Sequence, residues 1–215
     1  MTDYYTDRQE ELLQDFDMDA SRWMPLLLSL YGGEFTNSVL TASRLRFRSL
    51  IPQISYIGGE ESWTGAFLES IRCLAFYLEM QKSGKTAEET VQILYEAILS
   101  RLGEPQPPLP EDQVLTAEQL MERRKKRAEF SQERRFPQGY VAEFIPGDGV
   151  SFDYGYNFSE CAAQKFYRTQ AAEDFLPYYC KLDFAYDQVY GLGLKRTTTL
   201  AEGGAYCDHR FKSDR

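Results

Sequence analysis

The chain lacks most of the short signatures by which a site can be recognised. It has neither a G-x-G-x-x-G run nor a P-loop, so the fingerprints of dinucleotide and nucleoside-triphosphate binding are missing. None of its cysteines forms a local C-x-x-C pair, the spacing that makes zinc sites legible. No internal repeat or low-complexity block is evident. The longest apolar stretch near the start, Trp23 to Tyr31, contains Pro25 and is too short to span a bilayer. Positive charge is also scarce: 24 Lys and Arg stand against 33 Asp and Glu, a net charge of −9. Such a chain repels polyanions, so neither nucleic acid nor a membrane is expected as a partner. The first residues are acidic and polar, which predicts no secretory signal and a cytoplasmic location.

What is present suffices for a folded core. Hydrophobic residues make up 43% of the 215 positions and aromatics 14%, enough to build an interior without metal or disulfide support. The four cysteines, Cys73, Cys161, Cys180 and Cys207, are far apart and are expected as free thiols in a reducing compartment. One basic run, Arg123 to Arg127, lies among Glu118, Glu122, Glu129 and Glu133 and reads as a solvated helix face.

The chain is expected to divide at Pro105 to Pro110, a stiff extended linker. Residues 1–104 read as a helical part, 105–135 as linker and helix, and 136–215 as an α+β part carrying the site, the whole forming one integrated domain. Helices are expected near Glu10 to Phe16 and from Thr36 to Leu50. From Trp63 to Met80, the apolar residues Phe67, Ile71, Leu74, Ala75 and Leu78 recur at helical spacing. Thr86 with Glu89, and Thr116 with Gln119, make capping boxes for two further helices. The first shows Val91, Leu94, Tyr95, Ile98 and Leu102 on one stripe, and the second ends before Pro137. After Pro137 the pattern changes to strand 140–145, turn 146–149 and strand 150–156. A helix capped by Ser159 runs to about Ala172, and another runs from Pro177 to Gly191. Lys195 to Leu200 reads as a strand, Glu202 to Gly204 as a turn, and Ala205 to Phe211 as the last strand. Two hairpins separated by helices predict an α+β fold, a four-stranded antiparallel sheet with helices on one face, packed with the N-terminal helical part.

Several residues could carry chemistry. Cys180 and Asp183 are three apart on one helix face, and Asp187 continues it. Such a carboxylate can orient a thiol or take its proton, although its charge alone would raise the thiol pKa. The plainer reading is a buried cysteine beside a surface aspartate. Tyr179, Tyr186 and Tyr190 lie on an adjoining face. Alternation in the last strand puts Ala205, Cys207, His209 and Phe211 on one side. His209 is the chain's single histidine; it can be a hydrogen-bonded core residue, or an acid, base or ligand. Cys161 opens a helix, where the dipole favours the thiolate. Cys73 has no polar companions and reads as structural. Cys161, Cys180, Cys207 and His209 are of zinc-ligating types, but without local pairs no metal is expected. Arg196, before Thr197, Thr198 and Thr199, could clamp a carboxylate or be a solvated strand residue.

The stretches 176–183, 191–194 and 196–204, followed by Cys207-Asp208, resemble the L-2-amino-thiazoline-4-carboxylic acid hydrolase family. Asn157 with Cys161 matches the family's upstream cysteine region, and the helical first half, with Arg44, Pro52 and Gly58-Gly59, is similar but less distinctive. The resemblance implies cofactor-free hydrolysis that opens a small thiazoline ring to N-carbamoyl-cysteine, acting on cyclic C–N and C–S bonds. It implies catalytic roles for Cys161, Cys180, Asp183 and Cys207. Asn157, Tyr179, Tyr186, Arg196, Thr198 and His209 are the residues expected to bind substrate. One departure stands out, since the family pattern has phenylalanine where this chain has His209. The cysteine pattern is also similar to the 4-vinyl reductase domain, which implies an alternative: a small-molecule-binding or sensory module that need not catalyse. The partner expected is a small molecule, with a possible homodimer through the N-terminal helices.

Overall fold

Non-helical geometry at Gly32 shapes the N-terminal half. In the computed structural model, which describes residues 3–59, 62–104 and 115–212, α1 (Asp3–Asp7) leads into α2 (Gln9–Leu50). Gly32 interrupts α2 with φ 78° and ψ 173°, a left-handed φ that glycine adopts without strain. The two arms fold back on each other. Phe16 stacks on Phe47 at 5.7 Å, and Arg44 pairs with Asp17 at 2.7 Å. The first arm is longer than the expected Glu10–Phe16 helix and passes through Pro25. A proline inside a helix costs roughly 3 kcal/mol; burial of Trp23 and Leu27 on either side offsets it.

After a 3₁₀ turn (Ile51–Gln53) come α3 (Thr64–Lys82) and α4 (Ala87–Leu99). Phe67, Ile71, Leu74 and Ala75 are buried as their spacing requires. The Thr86 hydroxyl accepts from the Glu89 amide at 3.1 Å and the Glu89 carboxylate accepts from the Thr86 amide at 2.8 Å, completing the expected box. Leu102 falls beyond the end of α4 and is exposed. The expected linker, Pro105 to Pro110, lies outside the described residues. The Thr116–Gln119 box starts α5 (Ala117–Gln132).

The sheet contains β1 (Val141–Pro146), β2 (Tyr154–Glu160), β3 (Leu194–Lys195) and β4 (Cys207–Phe211), in the order β1-β2-β4-β3 and antiparallel throughout. Between β2 and β3 come α6 (Ala162–Thr169), a 3₁₀ turn, α7 (Leu176–Tyr179) and α8 (Leu182–Tyr190). The fold is α+β. One hydrophobic core joins α2, α3, α4, α6, α7 and α8, and a smaller one joins Ala128 of α5 to Ala142 and Tyr156 of the sheet. Tyr77 stacks on Phe175 at 4.1 Å, and the Tyr167 hydroxyl donates to the Ser70 carbonyl at 2.8 Å.

Three local expectations are corrected. β2 runs on to Glu160 because that residue pairs with Val141, so Ser159 is a strand residue and the helix cap falls to Cys161. The helix expected over 177–191 breaks at Cys180-Lys181. The Cys180 carbonyl accepts from the Arg196 guanidinium at 2.9 Å, and the Phe184 amide turns to the Lys181 carbonyl instead. The strand expected over 195–200 stops at Lys195. The Asp208 carboxylate accepts from the Thr197 and Thr198 amides at 2.8 and 2.7 Å, removing the donors that a longer ladder needs.

Candidate functional site

Strand alternation creates one wall of a cavity. Tyr156 pairs with His209, Phe158 with Cys207 and Tyr154 with Phe211, so these side chains share the helix-covered face of the sheet. Opposite them lie Trp63 and Ala66 at the start of α3, Leu176 and Tyr179 of α7, and Asp183 in the first turn of α8. Tyr140, Cys161, Ala163, Cys180 and Arg196 complete the lining of a space of about 230 Å³. The walls are largely aromatic. Trp63 meets Tyr156 at 5.5 Å and Phe158 at 4.9 Å, both edge to face.

One charged cluster sits in this apolar setting. The Arg196 guanidinium donates to Asp183 Oδ2 at 2.5 Å and its side chain is only 6% exposed. His209 Nε2 lies 3.3 Å from the same oxygen. The Asp183 side chain is 44% exposed, so the carboxylate marks the open end of the cavity. Both contacts fall on Oδ2, leaving Oδ1 for another partner. Among the described residues, no hydrogen-bond partner meets the buried Nδ1 of His209.

The three cavity thiols are uncharged at neutral pH. Burial pushes Cys161 up to about 12, and the amides of Gln164 and Ala163 oppose this only in part. Burial also raises Cys180 well above, and Cys207 above, the ordinary thiol value. The thiolate expected of Cys161 from its helix terminus is therefore corrected. It does cap α6, with Sγ 3.5 Å from the Gln164 amide, but desolvation outweighs that dipole. Cys207 Sγ accepts from the Leu200 amide at 3.1 Å.

Of the residues singled out by sequence, Cys161, Cys180, Asp183, Cys207, Tyr179, Arg196 and His209 meet at this cavity. Three do not. Asn157 lies on the opposite face of the sheet, accepting from Arg210 at 2.8 Å. Thr198 is tied to Asp208 through its amide and is absent from the lining. Tyr186 points into a separate space of about 40 Å³ between helices, where it donates to Glu69 beside the buried Cys73. Sequence reading missed Trp63, Tyr140, Tyr156 and Phe158. The signal for two of them was present: period-two alternation puts Tyr154, Tyr156 and Phe158 on one face. Among the described residues no three His, Cys, Asp or Glu side chains are grouped to hold a metal ion, and no described helix is long and apolar enough to cross a membrane.

The chain is α+β, with three thiols and an ion-paired carboxylate around one small cavity. A family model described as L-2-amino-thiazoline-4-carboxylic acid hydrolase matches residues 66–211, and the chain belongs to that family. The match takes in every cavity-lining residue except Trp63. No curated protein and no solved structure matches the chain.

Proposed function

We propose that the cavity is the site of hydrolytic opening of a small thiazoline-type amino acid, of which L-2-amino-thiazoline-4-carboxylic acid is the first candidate. The observation that carries the reading is an ion-paired carboxylate with a free oxygen at the mouth of a cavity of about 230 Å³, in a chain of this family. That volume is below the roughly 300–1,000 Å³ of drug-sized sites, and suits a single ring.

The chemistry asks for little leaving-group help, because the departing atom is a sulfur. Its main demand is attack on an electron-poor carbon flanked by nitrogen and sulfur. Asp183 Oδ1 complements the amidine N–H groups of such a ring. Arg196, committed to Asp183 and to the Cys180 carbonyl, holds that carboxylate in place instead of standing free for a substrate carboxylate. The thiols of Cys161, Cys180 and Cys207, kept protonated by burial, shape a soft, weakly polar wall, and water is the nucleophile. Oxygen bonds to the ring carbon, the C–S bond breaks, and the product is N-carbamoyl-cysteine.

The test is incubation with L-2-amino-thiazoline-4-carboxylic acid while following thiol release. Turnover by the wild type, lost at least about 100-fold in Asp183→Asn, is expected; an inert wild type refutes the reading. The aromatic walls favour a second reading, a binding module for small planar molecules. Its mark would be thermal stabilisation by such molecules without turnover. A tetrapyrrole exceeds the cavity, and neither Tyr186 nor Tyr190 lines it.

A further inference from the structure

Resting on the hydrolytic reading above, we infer that Trp63 decides what the cavity accepts, its indole taking a planar cyclic amidinium in preference to an uncharged ring of the same size. Trp63 is the N-cap residue of α3 and is partly buried. It precedes the stretch 66–211 that the family model matches, so family membership does not account for it. It is nonetheless part of the cavity wall. Its ring meets Tyr140 at 5.9 Å, Tyr156 at 5.5 Å and Phe158 at 4.9 Å, each edge to face. All three of those rings line the same space. Packing against three neighbours holds the indole as a fixed panel of the wall.

The chemistry of that panel favours a delocalised cation. The negative π-face of an aromatic ring attracts positive charge, most strongly when the ring is tryptophan. The molecule already makes this contact: the Arg127 guanidinium of α5, which does not line the cavity, lies over the Trp63 ring at 5.7 Å. A guanidinium is planar and weakly hydrated. A protonated 2-amino-thiazoline ring spreads its charge over a flat N–C–N unit in the same way, so it gives up little hydration on entering an apolar space. The thiazolidinone obtained by replacing its exocyclic nitrogen with oxygen has nearly the same shape and no charge. Asp183 Oδ1, free of both Arg196 and His209, complements the N–H groups at the edge of the ring while Trp63 meets its face. The amidinium is also the form with the more electron-poor ring carbon, so the state that binds is the state that water attacks.

Two probes of one shape separate charge from fit: 2-amino-thiazoline, a cation at neutral pH, and the uncharged 2-thiazolidinone. In calorimetric titration the wild type should bind the cation about 30-fold more tightly, the ratio that one desolvated cation–π contact supplies. Trp63→Leu, checked by thermal melting, should reduce that preference at least about fivefold, and Trp63→Phe, which keeps an aromatic face, should reduce it less. The chain has two tryptophans, and the other, Trp23, is 4% exposed in the helical core. Binding of 2-amino-thiazoline should therefore change the indole fluorescence of the wild type and leave that of Trp63→Phe unaltered, which a merely structural Trp63 would not produce. Equal affinity for the two probes, no binding of the cation, an unresponsive indole, or a Trp63→Leu protein that keeps the full preference overturns this role while leaving hydrolysis of the thiazoline acid standing. A wild type that prefers the cation but releases no thiol from that acid overturns the hydrolytic reading alone.

Discussion

Replacing Asp183 by asparagine strips a nearly buried guanidinium of its counter-ion while preserving side-chain shape. Arg196 is 6% exposed and makes two bonds, to Asp183 and to the Cys180 carbonyl, so one bond survives. Breaking a fully buried ion pair costs about 3–5 kcal/mol, but the Asp183 side chain is 44% exposed, and solvent screens that end of the pair. The expected loss is therefore about 1–2 kcal/mol. For a chain of this size that is a fall in Tm of about 2–8 °C, at about 2–4 °C per kcal/mol. Urea unfolding of Asp183→Asn, Arg196→Met and the double variant closes a cycle. A true pair makes the double variant less destabilised than the sum of the singles, by at least about 0.5 kcal/mol. Strict additivity would show that the two side chains do not meet in solution, and the charged cluster proposed as the centre of the site would go with it.

Glu69 provides a pH signature away from the cavity. Burial raises its pKa to about 7, so between its ordinary range and pH 7 the folded state retains a proton that the unfolded state has released. Stability should fall as pH rises through that window, and melts of Glu69→Gln at pH 5 and pH 8 should lose that part of the difference. Thiol titration under native conditions at pH 7.5 should modify the cavity cysteines slowly, since burial holds them protonated, with all four reacting once urea is added. If water is the nucleophile, Cys161→Ser should keep turnover within about tenfold, equivalent to about 1.4 kcal/mol; a loss of about 10³-fold would refute water attack and make Cys161 the nucleophile. Gly204→Ala should destabilise by about 1–3 kcal/mol, read from Tm, because its Cβ would stand 2.1 Å from Thr198 Oγ1 and 2.8 Å from the Thr199 carbonyl.

The parts of this molecule legible in its sequence are those decided within a few residues. Both capping boxes join positions three apart, and the burial of Phe67, Ile71, Leu74 and Ala75 follows from helical spacing alone. The convergence of Cys161, Cys180, Asp183 and Cys207 on one cavity was anticipated through family likeness and strand alternation. What escaped was decided by partners distant in the chain. Arg196 draws the Cys180 carbonyl out of a helix, and Asp208 ends a strand by capturing two amides. The charge state of Cys161 escaped for a related reason. The dipole of a short helix is a local property, whereas the desolvation that overrides it comes from the assembled walls. The basic run of α5 reads as solvated, yet Arg124 lies over the Tyr154 ring at 3.9 Å and Arg127 over Trp63 at 5.7 Å.

Asp208 occupies the outer face of β4, between two residues that look inward. By tethering the backbone that follows Arg196, it couples a solvent-side carboxylate to the posture of the guanidinium indoors. An alanine there would delete no atom of the pocket, but it would untie the segment that carries the pocket's cation. A substitution chosen as a harmless exterior change could thus empty the interior of its working geometry.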